Sequence, residues 1–181
     1  MKVDHPDMLW QPLPLCADLR LRRWLRDRSS LTRRIQERCE RFHLEVLAQH
    51  TAAADRDERA LVGARPGARC LVREVTLNCQ DRPVVYAHSV VDPHALRGAW
   101  RMLMTLGSRP LGAVLFADPR VERYPMRFRS LNARHELYRR ASAMLVQPPS
   151  HLWARRSLFV LRRSRLLVTE VFLPAILGLA P

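Results

Sequence analysis

In three separate stretches of this chain, side chains of like character return at every second position. That period belongs to β-strands, because successive side chains leave an extended backbone on opposite faces. Phe42, Leu44, Val46 and Ala48 alternate with His43, Glu45, Leu47 and Gln49. Leu71, Arg73, Val75 and Leu77 share one face of the next run, opposite Val72, Glu74, Thr76 and Asn78. The short turn Cys79–Pro83 returns the chain into Val84–Val91, which predicts an antiparallel hairpin. Val121–Ser130 alternates again, with Tyr124, Met126 and Phe128 on one face. Leu158–Leu161 and Leu166–Leu173 read as a closing hairpin around residues 162–165, and Pro174 stops its last strand.

Helical spacing is confined to short pieces between these runs. Leu21, Trp24 and Leu25 mark a first helix, and Ser30 caps a second that carries Leu31, Ile35 and Cys39. Asp92-Pro93 is a helix start, with Leu96, Trp100 and Leu103 on the buried face and Gly107 at the end. Leu111–Phe116 forms another short helix. Proline-rich residues 1–18 run extended over the surface, residues 52–69 form a charged link, and residues 133–151 give no clear pattern. Strands and helices are segregated rather than alternating. The expected class is therefore α+β, a single six-stranded antiparallel sheet with helices on one side or at one end. Its 181 residues suit one domain, 1–181, large enough to bury a core and enclose a small ligand.

Charge narrows the partners. Lys+Arg number 31 against 17 Asp+Glu, a net charge of +14, and Lys2 is the only lysine. Residues 61–181 hold 19 basic and 7 acidic groups, so the few acids there are informative. Such an excess suits nucleic acid, an anionic membrane surface or an acidic small molecule. No apolar run is long enough to span a bilayer, and residues 1–15 lack the pattern of a signal peptide, so a cytoplasmic protein without stable membrane insertion is expected. No recognition motif or aromatic stacking platform supports nucleic-acid binding. Cys16, Cys39, Cys70 and Cys79 form no CxxC pair, so neither a zinc site nor a disulfide framework is expected, but mostly free, buried thiols.

Two charges are out of place. Arg73 stands on the apolar face of Leu71, Val75 and Leu77, where a guanidinium must be paired, snorkelled or turned to a ligand. Its planar fork suits two-point capture of a carboxylate. Glu170 shares a face with Val168 and Phe172 in the most apolar strand, a setting suited to proton transfer. Glu170 partnered by Arg73 or by an outer arginine is the purely structural alternative. Of Arg155 and Arg156, alternation turns one toward the same cavity, without saying which. His88, His94 and His135 have no metal-ligand spacing, and His88 reads as structural.

The segments Leu71-Val72-Arg73-Glu74-Val75, Val90-Val91-Asp92-Pro93, Pro110-Leu111-Gly112, Leu152-Trp153-Ala154-Arg155-Arg156-Ser157 and Leu167–Pro174 follow in an order that resembles the chorismate pyruvate-lyase family, from about residue 12 to residue 174. The resemblance implies a six-stranded antiparallel sheet whose covering helices and helix-turn flaps enclose an internal site. It implies conversion of chorismate to 4-hydroxybenzoate and pyruvate, at the head of ubiquinone biosynthesis, with no metal or organic cofactor. The family's essential arginine falls on Arg73 and its essential glutamate on Glu170. Its backbone contact to the product carboxylate falls on Leu111, and its cavity-lining flap residue on Leu31. On this reading Arg73 serves the enolpyruvyl side, Leu111 the ring carboxylate, and Glu170 moves the proton. A longer span between Arg73 and Glu170 than in compact members points to an inserted loop at 133–151. A monomer is favoured. The rival is a small-molecule-sensing domain that binds an aromatic carboxylate without turnover; such domains need a DNA-binding partner domain, for which 181 residues leave no room.

Overall fold

A computed structural model describes residues 9–15 and 18–179, and its centre is one antiparallel sheet of seven strands. The strands are β1 (Phe42–Ala53), β2 (Arg69–Cys79), β3 (Arg82–Val91), β4 (Glu122–Arg123), β5 (Arg127–Leu131), β6 (Leu152–Leu161) and β7 (Ser164–Phe172). Their order is β1-β2-β3-β7-β6-β4, with β5 also paired to β6. The expected α+β class holds. The strand count rises from six to seven because Val121–Ser130 divides in two. Pro125, which has no N–H to give a ladder, lies in the gap, and both pieces pair with β6.

Strand β6 also begins six residues earlier than the apolar pattern suggested, at Leu152. Its Arg155 and Arg156 are both buried, one on each face of the sheet, which hides the strand from a hydrophobicity reading. The hairpins are as expected: β2 turns to β3 over Gln80-Asp81, and β6 to β7 over Arg162-Arg163, whose positive φ values of 49° and 66° follow the sheet's twist.

Helices α1 (Leu19–Leu25), α2 (Leu31–Gln36) and α4 (Leu111–Ala117) cover one face, and α3 (Arg56–Val62) and α5 (Glu136–Ser142) the other. Cover on both faces corrects the one-sided expectation. The missed helix α3 lies in the supposed link 52–69, and its signal was legible. Asp55 and Glu58 form a capping box, and Gly63 ends the helix at φ 76°. In 133–151, α5 packs Leu137, Tyr138 and Ala141 on Tyr86, Ala154 and Val171. The helix expected over 93–107 is instead two 3₁₀ turns, Pro93–Arg97 and Arg101–Thr105, interrupted around Gly98; Asp92 still caps the first. Of the N-terminal stretch, residues 9–15 fold through a turn and bends rather than running extended as expected; Gln11 alone is bridged, to Phe128, and Trp10 is buried.

On the first face, fully buried Trp24, Leu25 and Ile35 pack on Leu77, Val85 and Phe172. Each such side chain contributes about 1.5–3 kcal/mol by leaving water. Trp100, Leu103 and Leu115 close the neighbouring core over Leu71, Phe159 and Leu166.

The cysteine expectation is overturned in part. Cys39 and Cys79 form a disulfide, their Cα atoms 5.7 Å apart. The register explains it: Phe42 pairs with Cys79, and Cys39 stands three residues before Phe42. A bond set by strand register across 40 residues of sequence leaves no local spacing signal. Cys70 is free and buried, as expected. Cys16 lies outside the described residues. Among the described residues, no helix is long and apolar enough to cross a membrane.

Candidate active site

Register brings the two misplaced charges to one face. Arg73 pairs with Ser89, Ser89 with Val168 and Val168 with Ser157, forming one row across β2, β3, β7 and β6. Two residues along, Val75, Ala87, Glu170 and Arg155 form the next. These rows floor a pocket of about 650 Å³, solvent at its mouth included, and Leu31, Thr32, Leu111 and Gly112 help to roof it.

The roof is local chemistry. Asp18 caps α1 by accepting the amides of Arg20 and Leu21, and Ser30 caps α2 by accepting that of Arg33. The two short helices thus form a corner whose second arm presents Leu31, 3% exposed, to the pocket. Helix α4 comes close enough that a Cβ on Gly112 would stand 3.2 Å from Ser30 Oγ. Glycine therefore permits this approach of α4 to α2. Leu111 opens α4, so its amide lies outside the helix's own ladder.

Arg73 is 4% exposed, yet no carboxylate faces it among the described residues. Nη1 donates to Gln49 Oε1 at 3.1 Å and Nη2 to the Gly107 carbonyl at 2.7 Å. Burial presses its pKa below the ordinary arginine value, and an arginine so placed stays charged. A buried guanidinium held only by neutral acceptors retains an unbalanced charge for an anion.

Glu170 does not meet Arg73. Its partner is Arg155, whose Nε donates to Oε2 at 2.5 Å. Arg155 is 1% exposed, and its Nη1 also donates to the carbonyls of Trp24, Leu25 and Asp27 at 3.2, 3.3 and 2.6 Å. One guanidinium therefore ties the glutamate to the end of α1 and the turn into α2. This settles which of the adjacent arginines enters the cavity. Arg156 faces away, donating to Asp57 Oδ2 at 3.1 Å and lying over the Trp10 ring. Arg123, which the sequence did not single out, is a third guanidinium in the pocket lining. Its signal was weak, one more arginine in a strand cut short after two residues.

His88 lies on the opposite face, 2% exposed, paired in register with Glu74 and Thr169. Nδ1 is 3.3 Å from Glu74 Oε1, and Nε2 makes an ionic contact of 3.3 Å with Glu58 Oε1. Burial alone would lower its pKa, but the two glutamates outweigh burial and raise it to about 9. The His88 contact, with help from Tyr86 and Arg140, holds Glu74 down at about 2 against the opposing effect of burial. His88 is thus a structural cation, as the sequence suggested, and lies outside the pocket.

Residues 7–178 match the model of the family described as Chorismate lyase. A relative from Nitrosomonas europaea named "Probable chorismate pyruvate-lyase" is 49% identical over 97% of this chain and 98% of its own. A relative of the same name from Aromatoleum aromaticum is 52% identical over 88% of each chain. Among solved structures, a GntR-family transcriptional regulator from Bacillus cereus aligns with a TM-score of 0.55 at 11% identity, covering 74% of this chain and 92% of that one. The C-terminal domain of a histidine utilization repressor from Pseudomonas syringae aligns at 0.54 and 14% identity, over 75% and 93%. At such identities the likeness to these two structures shows the fold alone.

Proposed function

This chain belongs to the chorismate lyase family, and we propose that it converts chorismate into 4-hydroxybenzoate and pyruvate in the pocket between the sheet and the α2–α4 roof. The observation that carries the reading is the pocket's charge pattern: buried Arg73, with no acidic partner among the described residues, beside a glutamate held by its own arginine. The domain works as one unit over residues 1–181. Residues 133–151 are the insertion, with α5 as its packed part.

The chemistry needs little from the protein beyond placement. A ring C–H bond next to the ether carbon gives its electron pair to a new ring double bond. The ether C–O bond breaks, and its pair goes to the enolpyruvyl oxygen. The ring becomes aromatic, and the released enolate takes up the proton at its methylene carbon and becomes pyruvate. Orientation, exclusion of water and a proton carrier suffice to speed such a step.

Glu170 is the proton carrier at the breaking bond. Arg155 is its positioning residue and couples it to the α1–α2 flap. Arg73 and the Leu111 amide hold the ring carboxylate together. The contact from Arg73 to Gly107 supports this grouping, because Gly107 begins the short connection that delivers Leu111. On this reading Arg73 takes the ring carboxylate in place of the enolpyruvyl side that the resemblance suggested. Leu31 closes the roof over the ring.

The test is to mix purified protein with chorismate and follow both products. Equal release of 4-hydroxybenzoate and pyruvate is expected. Binding of 4-hydroxybenzoate without turnover of chorismate would overturn the lyase reading in favour of a sensor.

A further inference from the structure

Arg123 is the pocket guanidinium that these roles leave without a task. Its Nε and Nη2 donate to Ser157 Oγ at 3.1 and 3.0 Å, and Nη1 to the Arg28 carbonyl at 2.7 Å. Its guanidinium lies 5.4 and 5.5 Å from the Phe116 and Phe159 ring centroids. Among the described residues it forms no salt bridge. Like Arg73, it is a cation held by neutral oxygens.

A charge count gives this a consequence. The lining holds Arg73, Arg123, Arg155 and Glu170 as its charged side chains. Arg155 is committed to Glu170 and to three backbone carbonyls. Two guanidiniums remain, the number that a substrate with two carboxylates neutralises. Their placement also suits two ends of one molecule. Arg73 begins the row that runs through Ser89 and Val168 to Ser157, and Ser157 is the residue that Arg123 grips. Three strand steps separate the ends of that row, about 14 Å between Cα atoms. Glu170 lies on β7, one row along, between them. Arg123 also borders an outer groove with Arg28, Tyr124 and Met126, so its end of the pocket lies nearer the surface.

We propose that Arg123 binds the second carboxylate of the substrate, the one on the enolpyruvyl group that leaves as pyruvate. This rests on the lyase reading and adds the recognition of the leaving group. Arg73 holds the part that stays, Arg123 the part that departs, and Glu170 works at the bond between them.

The test exploits the single carboxylate of 4-hydroxybenzoate. Arg123→Gln and Arg123→Lys are compared with the unaltered protein for chorismate kinetics and, each in a Glu170→Gln background that slows turnover, for binding of chorismate and of 4-hydroxybenzoate by calorimetry. Loss of a charge-assisted carboxylate contact lowers affinity about 10- to 100-fold. Arg123→Gln should lower kcat/KM and chorismate affinity by that factor while 4-hydroxybenzoate affinity stays within about threefold. Arg123→Lys should recover part of the loss, and it carries the test if the glutamine variant does not fold. Parallel weakening of both ligands would overturn the proposal, because it would make Arg123 a structural residue or a ring-carboxylate residue. Unchanged chorismate binding would overturn it too. If the unaltered protein fails to turn chorismate over, the lyase reading has failed. The two binding measurements then still decide whether Arg123 distinguishes a dianion from a monoanion.

Discussion

Replacing Arg155 with methionine removes the guanidinium that holds Glu170 and keeps much of the side-chain volume. Three things are lost together: the 2.5 Å contact to Glu170, the 2.6 Å bond to the Asp27 carbonyl, and two longer bonds to Trp24 and Leu25. Breaking a buried ion pair from one side costs about 3–5 kcal/mol, because the other charge is left behind. The Glu170 side chain is 18% exposed and keeps some hydration, which places its share at the low end. The carbonyls left bare at the end of α1 add about 1–3 kcal/mol. A total near 4 kcal/mol is expected for Arg155→Met, read by urea unfolding. Adding Glu170→Gln should restore about 2 kcal/mol, since no unpaired charge then remains, and the double-mutant cycle reports that coupling. Hydrogen exchange should rise at 26–30 in the single variant, because the flap loses its anchor. A loss below about 1 kcal/mol, or a double variant no better than the sum of the singles, would refute the view that one buried guanidinium couples Glu170 to the flap.

Two further predictions concern parts outside the pocket. Opening the Cys39–Cys79 bond frees a loop of 40 residues, and Cys39→Ala or reduction should lower unfolding stability by about 2–4 kcal/mol; an unchanged urea midpoint would count against the bond. His88, raised to about 9 from an ordinary value near 6.5, contributes stability that is complete below about pH 6.5 and is lost as pH rises through 9. That contribution reaches about 3 kcal/mol, so stability should fall between pH 6.5 and 9.5, and His88→Gln should flatten the fall; an unaltered slope in the variant would contradict the clamp.

Much of the site was legible because a strand exposes its anomalies. Arg73 among Leu71, Val75 and Leu77, and Glu170 between Val168 and Phe172, each broke a period-two pattern, and both line the pocket. Their partners were not legible. Whether Glu170 meets Arg73 or Arg155 depends on strand order: β7 lies between β3 and β6, so Arg155 is one strand away and Arg73 two. Arg155 and Arg156 both sit inside, and no hydropathy pattern separates a buried arginine from a solvated one. The same limit hid Arg123, whose strand is two residues long. The disulfide escaped for a related reason, since the pairing of Phe42 with Cys79 is a tertiary fact. Helix α3 is a different miss: its capping box was present in the sequence and was outweighed by the charge and glycine around it.

The most direct test of the division of labour between Arg73 and Glu170 is a paired measurement on Glu170→Gln: single-turnover decay of chorismate, and affinity for 4-hydroxybenzoate. Glutamine keeps the shape and a contact to Arg155 but carries no transferable carboxyl proton. Turnover should fall by about 100-fold or more, the usual scale for a lost proton carrier, while 4-hydroxybenzoate binds within about tenfold of the unaltered protein. Turnover near that of the unaltered protein, with saturating chorismate, would contradict Glu170 as the group that moves the proton.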